Sequence, residues 1–291
     1  MTFSISKSYI SLCMGIAVND GIIPDIHAPV RNIVKDGGFE SEQNKNITWA
    51  HMLQLTSEWE GTLWEKPDWI DHYRDVVGNS LHSDKRGSKR KLQPPGTYWE
   101  YNDVRVNRLS LALMHAFGRP LPEVLKDRIM DPIGASETWE WHGYNNSWLE
   151  INGKRLQSVS GGAHWGGGLW ISSLDHARVG QLMLNKGWWN GREIISKKWI
   201  DECLTQSPLS PVYGYLWWLN GKNSHMQPRI QFTFNGSLNS NAPTDMISAL
   251  GKNGQIINIV PSKNMVIVRM GNDPDTNSFI SATYNLSLIH I

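Results

Sequence analysis

Between residues 5 and 18 almost every position is apolar or small, and the run closes on Asn19-Asp20-Gly21. Such a stretch predicts a buried helix with Gly21 as its C-terminal stop. A second helix is predicted from Thr48, whose hydroxyl can cap "WAHMLQL". After a polar segment reaching residue 96, "DVRVNRLSLALMHAFG" predicts a third, with Asp103 at its start and Gly118 after its end. Two more follow, from about Leu174 to Lys186 and from about Ser196 to Gln206.

In the last third the pattern changes. "YGYLWWL", "RIQFTF", "MISALG", "GQIINIVP" and "NMVIVRM" are short runs rich in aromatic and β-branched residues, separated by Gly, Pro, Asn and Ser. These predict antiparallel strands. "TNSFISATYNL" then predicts a helix packing on that sheet. Helices first and a meander of strands last define an α+β (mixed α/β) architecture. At 291 residues the chain suits one large domain. Its helical part is expected over about 1–206, its strands over about 211–271 and a partial closing helix after 275. No internal repeat is present.

Charge narrows the partners. Lysine plus arginine number 28 against 27 aspartates and glutamates, so no global field draws the chain to nucleic acid or an anionic membrane. A small-molecule partner is expected instead. The basic run "KRGSKRK" at 85 to 91 leads into the turn signal "LQPPG" and reads as a solvated loop. No apolar stretch reaches the roughly 18 residues of a membrane span, and the N-terminus lacks the order of a signal peptide. Two cysteines, Cys13 and Cys203, make neither a disulfide framework nor a metal-ligand cluster, and no cofactor is expected. Fifteen tryptophans, many paired or beside glycine as in "HWGGGLW", "GWWNG" and "YLWWL", read first as core and loop anchors and second as cleft lining.

For chemistry, the chain has no G-x-S-x-G, H-E-x-x-H or G-x-x-x-x-G-K-[ST]. It has S-x-x-K twice, at Ser4 to Lys7 and Ser88 to Lys91. Ser4 stands at the entrance of the apolar helix, where Lys7 lies one turn along on the same face. Burial of that helix favours the neutral amine, able to accept the serine proton, and the helix N-terminus offers amides and positive dipole to an oxyanion. Ser88 lies in the basic loop and has no such setting. On helix signals alone Ser4 could equally be an N-cap. Two further motifs shift the balance: Tyr101-Asn102-Asp103 before a helix, and Lys252-Asn253-Gly254 between two strands.

Together these three motifs resemble the S-x-x-K, Y-x-N and K-T-G triplet of the serine β-lactamase and penicillin-binding protein superfamily. "SKSYISLCMGIAVNDGII", "PGTYWEYND", "GGGLWISSLDHARVGQLMLNKG" and "GQIINIVPSKNMVIVRMGN" are similar to its class C-related branch of esterases, D-aminopeptidases, carboxypeptidases and 6-aminohexanoate-dimer (nylon-oligomer) hydrolases. The resemblance spans nearly the whole chain. It implies a β-lactamase/transpeptidase-like fold, with an antiparallel sheet flanked by helices plus a helical subdomain. It also implies a metal-independent serine hydrolase acting on an ester or amide through a Ser4 acyl-enzyme. Lys7 and Tyr101 would share the general-base role, and Lys252 would orient a substrate carboxylate or tune Tyr101. Asp103, Asn253, Gly254 and Gln255 would bind substrate, with the amides of Ser4 and Gln255 as the oxyanion hole. A D-Ala-type carboxypeptidase or β-lactamase is the alternative within the class, and a non-catalytic penicillin-recognising module or inactive fragment the alternative outside it. Asp103 stands where β-lactamases usually have asparagine, which argues against β-lactamase activity. The family normally places a helix and the first strands before S-x-x-K, where this chain has three residues. It is therefore expected to be a fragment lacking those strands and part of the closing helix.

Overall fold

The computed structural model describes residues 1–73, 87–162, 168–228 and 231–271. The apolar run forms helix α1 (Ile5–Asn19), in which every residue from Ile5 to Ala17 is buried, including Ser6, Lys7, Ser8 and Ser11. A helix covered on all sides must sit at the centre of a fold. Around it lie α3 (Asp103–Phe117), the short α4 (Leu121–Leu125) and α6 (Lys197–Cys203). The close approach to α6 depends on Gly15. A Cβ there would stand 2.3 Å from Trp199 Cδ1, while the Trp199 indole donates to the Ser11 carbonyl at 3.1 Å.

The caps follow the predicted chemistry. Thr48 closes a capping box with His51 on α2 (Trp49–Leu53). Gly118 ends α3 in the left-handed region at φ 63. Ser172 caps α5 (Ser173–Leu184) and Ser196 caps α6.

The predicted meander forms an antiparallel sheet from four segments. Their order across it is β7 (Met265–Arg269), β6 (Gln255–Val260), β5 (Ile247–Gly251), β4 (Trp218–Leu219). α1 packs against β5 and β6, and α5 against β6 and β7. Within "YGYLWWL" only Trp218 and Leu219 are strand, and within "RIQFTF" the described part contributes only Phe234, paired with His225. The closing helix expected at "TNSFISATYNL" lies outside the described residues.

A second sheet lies where only helices and loops were expected. β1 (Glu140–Ile151) and β2 (Lys154–Val159) form a hairpin, with β3 (Gly168–Trp170) on the other side of β1. Its turn is Asn152-Gly153, with φ of 53 and 72, the two left-handed positions a tight hairpin requires.

Deep in the fold, His176 on α5 is fully buried, with its Nδ1 2.8 Å from the Tyr9 hydroxyl. Burial pushes its pKa down to about 3, so the folded chain keeps it neutral where the unfolded chain would charge it. The folded value lies below the ordinary ~6.5, so stability is expected to fall as pH drops through that value. Urea unfolding should show a loss of about 2 kcal/mol between pH 7 and pH 5. His51 and His115, lowered chiefly by burial, add in the same direction. A flat profile over this range would rule out a neutral His176 in the folded state.

Candidate active site

Ser4 sits at the N-terminus of α1 with φ −68 and ψ −7, and its side chain makes no capping bond. Its hydroxyl instead accepts a hydrogen bond from Lys7 Nζ at 2.9 Å. The residue before it, Phe3, is held at φ 50, a costly conformation for a non-glycine residue, of the kind that clusters at functional sites.

Lys7 is buried, and its amine reaches into three separate parts of the chain. Besides Ser4 it donates to the Gly161 carbonyl at 2.9 Å and pairs with Asp103 Oδ1 at 2.6 Å. Its Nζ also lies 5.1 Å from the centre of the Tyr101 ring. Burial disfavours the ammonium form, and an adjacent carboxylate favours it.

Local folding explains how the second motif delivers two of its residues. Asn102 caps α3, accepting from Arg105 N at 3.1 Å while its amide donates to the Asp68 carbonyl at 2.9 Å. Asn102 is thereby committed to the scaffold, and Tyr101 and Asp103 on either side of it meet Lys7. Asp103 opens α3, where the helix dipole favours its negative charge. Asp71 Oδ2 accepts from the backbone N–H groups of Asp103 at 2.8 Å and Val104 at 3.1 Å. Tyr101 stacks on Trp218, with ring centres 6.0 Å apart.

Gly161, which the sequence reading passed over, is fixed from α3. Its N–H donates to Asn107 Oδ1 at 2.9 Å, and Asn107 Nδ2 donates to the Tyr144 hydroxyl at 3.2 Å. That hydroxyl lies 2.8 Å from Ser160 Oγ. Next to it, Gly162 adopts φ +86, and a Cβ there would stand 1.8 Å from the Phe3 carbonyl oxygen. The Gly161-Gly162 segment is thus clamped against the nucleophile's own backbone. Asn107 carried a usable signal, four residues after Asp103 and so on the same helix face.

The third motif is placed differently. Lys252, Asn253 and Gly254 form the tight turn joining β5 to β6, with Asn253 at φ 61. Lys252 is exposed and, among the described residues, makes no hydrogen bond, ion pair or ring contact. The Gln255 amide closes the turn, donating to the Asn253 carbonyl at 3.2 Å and to the Gly271 carbonyl at 2.6 Å. It is Gly251, at the end of β5, that abuts the segment carrying Ser4: a Cβ there would stand 2.2 Å from the Thr2 carbonyl oxygen. The second S-x-x-K pair, Ser88 and Lys91, lies in no helix. Among the described residues no group of three His, Cys, Asp or Glu could hold a metal ion, and no helix is long and apolar enough to cross a membrane.

A central helix opening on a serine and a buried lysine, set between an antiparallel sheet and a helical cluster, defines the β-lactamase/transpeptidase class of fold. Residues 1–290 match the family described as Beta-lactamase, and the chain belongs to that family. Among solved structures, it resembles a Bacillus anthracis protein provisionally named a 6-aminohexanoate-dimer hydrolase (TM-score 0.65, 18% identity, 99% of this chain and 69% of that one). It also resembles a family VIII carboxylesterase (0.62, 16%, 99% and 81%) and a penicillin-binding protein from Bacillus halodurans (0.60, 15%, 99% and 85%). At these identities the likeness is one of fold. A Salmonella typhi protein provisionally named a D-alanyl-D-alanine carboxypeptidase is 25% identical over 209 residues, covering 62% of this chain and 46% of that protein. The chain spans about half the length of the curated relatives it matches.

Proposed function

We propose that the chain is a serine hydrolase that cleaves an ester or amide of a small molecule through an acyl-enzyme on Ser4. The observation that carries this reading is the 2.9 Å hydrogen bond from the buried Lys7 amine to a serine hydroxyl that caps nothing. Ser4 Oγ forms a bond to the substrate carbonyl carbon, and its proton passes to the Tyr101 oxygen, which enters the step as the phenolate. The oxyanion collapses, the bond to the alcohol or amine breaks, and that leaving group takes the proton from Tyr101. Water then attacks the acyl carbon, gives a proton to Tyr101, and the acid departs as Ser4 Oγ recovers it. The Ser4 amide, at the positive end of α1, is one oxyanion donor. The second falls to the paired ends of β5 and β6, Gly251 and Gln255, beside the nucleophile segment. Lys252, at the exposed tip of the turn with Asn253 and Gly254, is assigned to a carboxylate at the substrate's outer end.

Reaction with a fluorophosphonate, followed by mass spectrometry of the peptides, tests the assignment. The label is expected on Ser4 and absent from Ser4→Ala; an unlabelled wild type, or a label on Ser88, would sink it. The Salmonella relative's name supports a second reading, hydrolysis of a D-alanyl peptide. A panel of p-nitrophenyl esters, nitrocefin and D-alanyl peptides separates the two, with esters expected to turn over fastest.

A further inference from the structure

We propose that Asp103 is a positioning residue that fixes Lys7 as an ammonium ion, so that Lys7 orients Ser4 and proton acceptance falls to Tyr101. This rests on the reading of Ser4 as the nucleophile. It departs from the expectation of a neutral amine at Lys7 and of a substrate contact at Asp103.

The chemistry follows from the acceptors. An ammonium has three protons and no lone pair, and Lys7 Nζ faces three oxygens: Ser4 Oγ at 2.9 Å, the Gly161 carbonyl at 2.9 Å and Asp103 Oδ1 at 2.6 Å. Each is an acceptor that a donated N–H satisfies. A neutral amine, with two N–H groups and one lone pair, would also meet these oxygens by accepting from the Ser4 hydroxyl. The buried carboxylate at 2.6 Å favours the ammonium instead, and the hydroxyl's proton must then leave toward another group. Tyr101, whose ring centre lies 5.1 Å from Nζ, is a titratable side chain beside the cation. An asparagine at position 103 would still accept a hydrogen bond, but it would supply no charge to hold the proton on a lysine 1% exposed.

The charged and titratable groups facing Lys7 come from every packed element. α3 brings Asp103, and the segment before α3 brings Tyr101. Asp71 lies behind Asp103, bonded to its backbone N–H at 2.8 Å. β1 brings Tyr144, which feels the Lys7 charge and reaches the Gly161 peptide through Asn107. Asp103 therefore pairs with the cation directly and Asp71 adds a second negative charge behind it, and both favour the protonated form. Asp71 also holds the backbone N–H groups of Asp103 and Val104, which fixes the start of α3 from which the Asp103 side chain reaches Lys7.

The rate of fluorophosphonate labelling, followed from acidic to alkaline pH, tests this in the full chain. The alkaline limb reports loss of the Lys7 proton. In Asp103→Asn it is expected to move down by about one to three pH units, and in Asp103→Glu to return toward its wild-type position even if the rate is lower. A purely structural role would lower the rate in both variants and leave the limb in place, and that result would overturn the proposal. If Asp103→Asn does not fold, the side-chain 15N resonance of Lys7 in the wild-type chain, assigned by its loss in Lys7→Arg, decides the matter. An ammonium persisting to or above the ordinary lysine value of about 10.4 supports it, and a neutral amine near pH 7 overturns it. Failure of the nucleophile reading is separately visible, as labelling that is absent from the wild type or survives Ser4→Ala.

Discussion

Ser4→Ala is expected to lower turnover of a p-nitrophenyl ester by roughly 10⁴- to 10⁶-fold, and Lys7→Met to do the same. Combining them should cost little more than the worse single change, because groups that act as a unit cannot be lost twice. Ser4 and Lys7 share one hydrogen bond at 2.9 Å, so each needs the other to be placed. Stability separates the two variants. Alanine at position 4 removes a hydroxyl that caps nothing, and its melting temperature should stay near that of the wild type. Methionine at position 7 leaves the Asp103 carboxylate and the Gly161 carbonyl without their shared donor and should unfold at lower urea. Multiplicative losses in the double variant would mean that Ser4 and Lys7 act independently, contrary to the proposed site.

Arg105→Ala is expected to cost about 3 to 5 kcal/mol in urea unfolding. Its guanidinium donates to Glu58 Oε1 at 2.7 Å, to Glu100 Oε2 at 3.0 Å and to the Trp59 carbonyl at 3.0 Å. Glu58 is completely buried. Burial alone would raise its carboxyl, yet Arg90 and Arg105 hold it below the usual range. Arg90 grips the same carboxylate with two bonds of 2.6 Å, so removing Arg105 strips one of two cations from a buried anion rather than both. Arg119→Ala is the control, because its pairs with Glu123 and Asp127 are solvent-exposed and should matter by less than about 1 kcal/mol. The network also lies directly behind Tyr101-Asn102-Asp103, since Glu100 precedes the motif and Asp68 holds Asn102. A stability loss from Arg105→Ala should therefore be accompanied by reduced labelling of Ser4. Equal urea midpoints for Arg105→Ala and Arg119→Ala would show that the buried cluster contributes nothing.

How much of this could be read from the sequence depended on how local each signal was. α1, α3, α5 and α6 announce themselves because apolar runs, capping residues and a terminal glycine all lie within one helix length. The pair Ser4 and Lys7 is equally local. The hairpin of β1 and β2 was missed although Asn152-Gly153 is a strong turn signal, because its strands read as polar and aromatic text without β-branched runs. The distant contacts were invisible for a different reason. Nothing in "SGGAHWGGG" says that the Gly161 carbonyl meets a lysine 154 positions earlier. The motif match also could not say that Asp103 faces Lys7, or that Lys252 stands at an exposed turn. A pattern of residue types records order along the chain, and the side-chain directions are set by the packing of α1, α3 and β5.

The lysine at the start of α1 depends on oxygens from residues 4, 103 and 161, so its surroundings exist only when three far-separated stretches have docked together. Isolated helix formation, however complete, leaves Ser4 and Lys7 in water with neither the anion nor the glycine carbonyl beside them. On heating, the capacity to be acylated should therefore vanish as these segments separate, no later than the helical signal of the chain. In this chain the chemistry would be among the first properties lost and, during folding, among the last acquired.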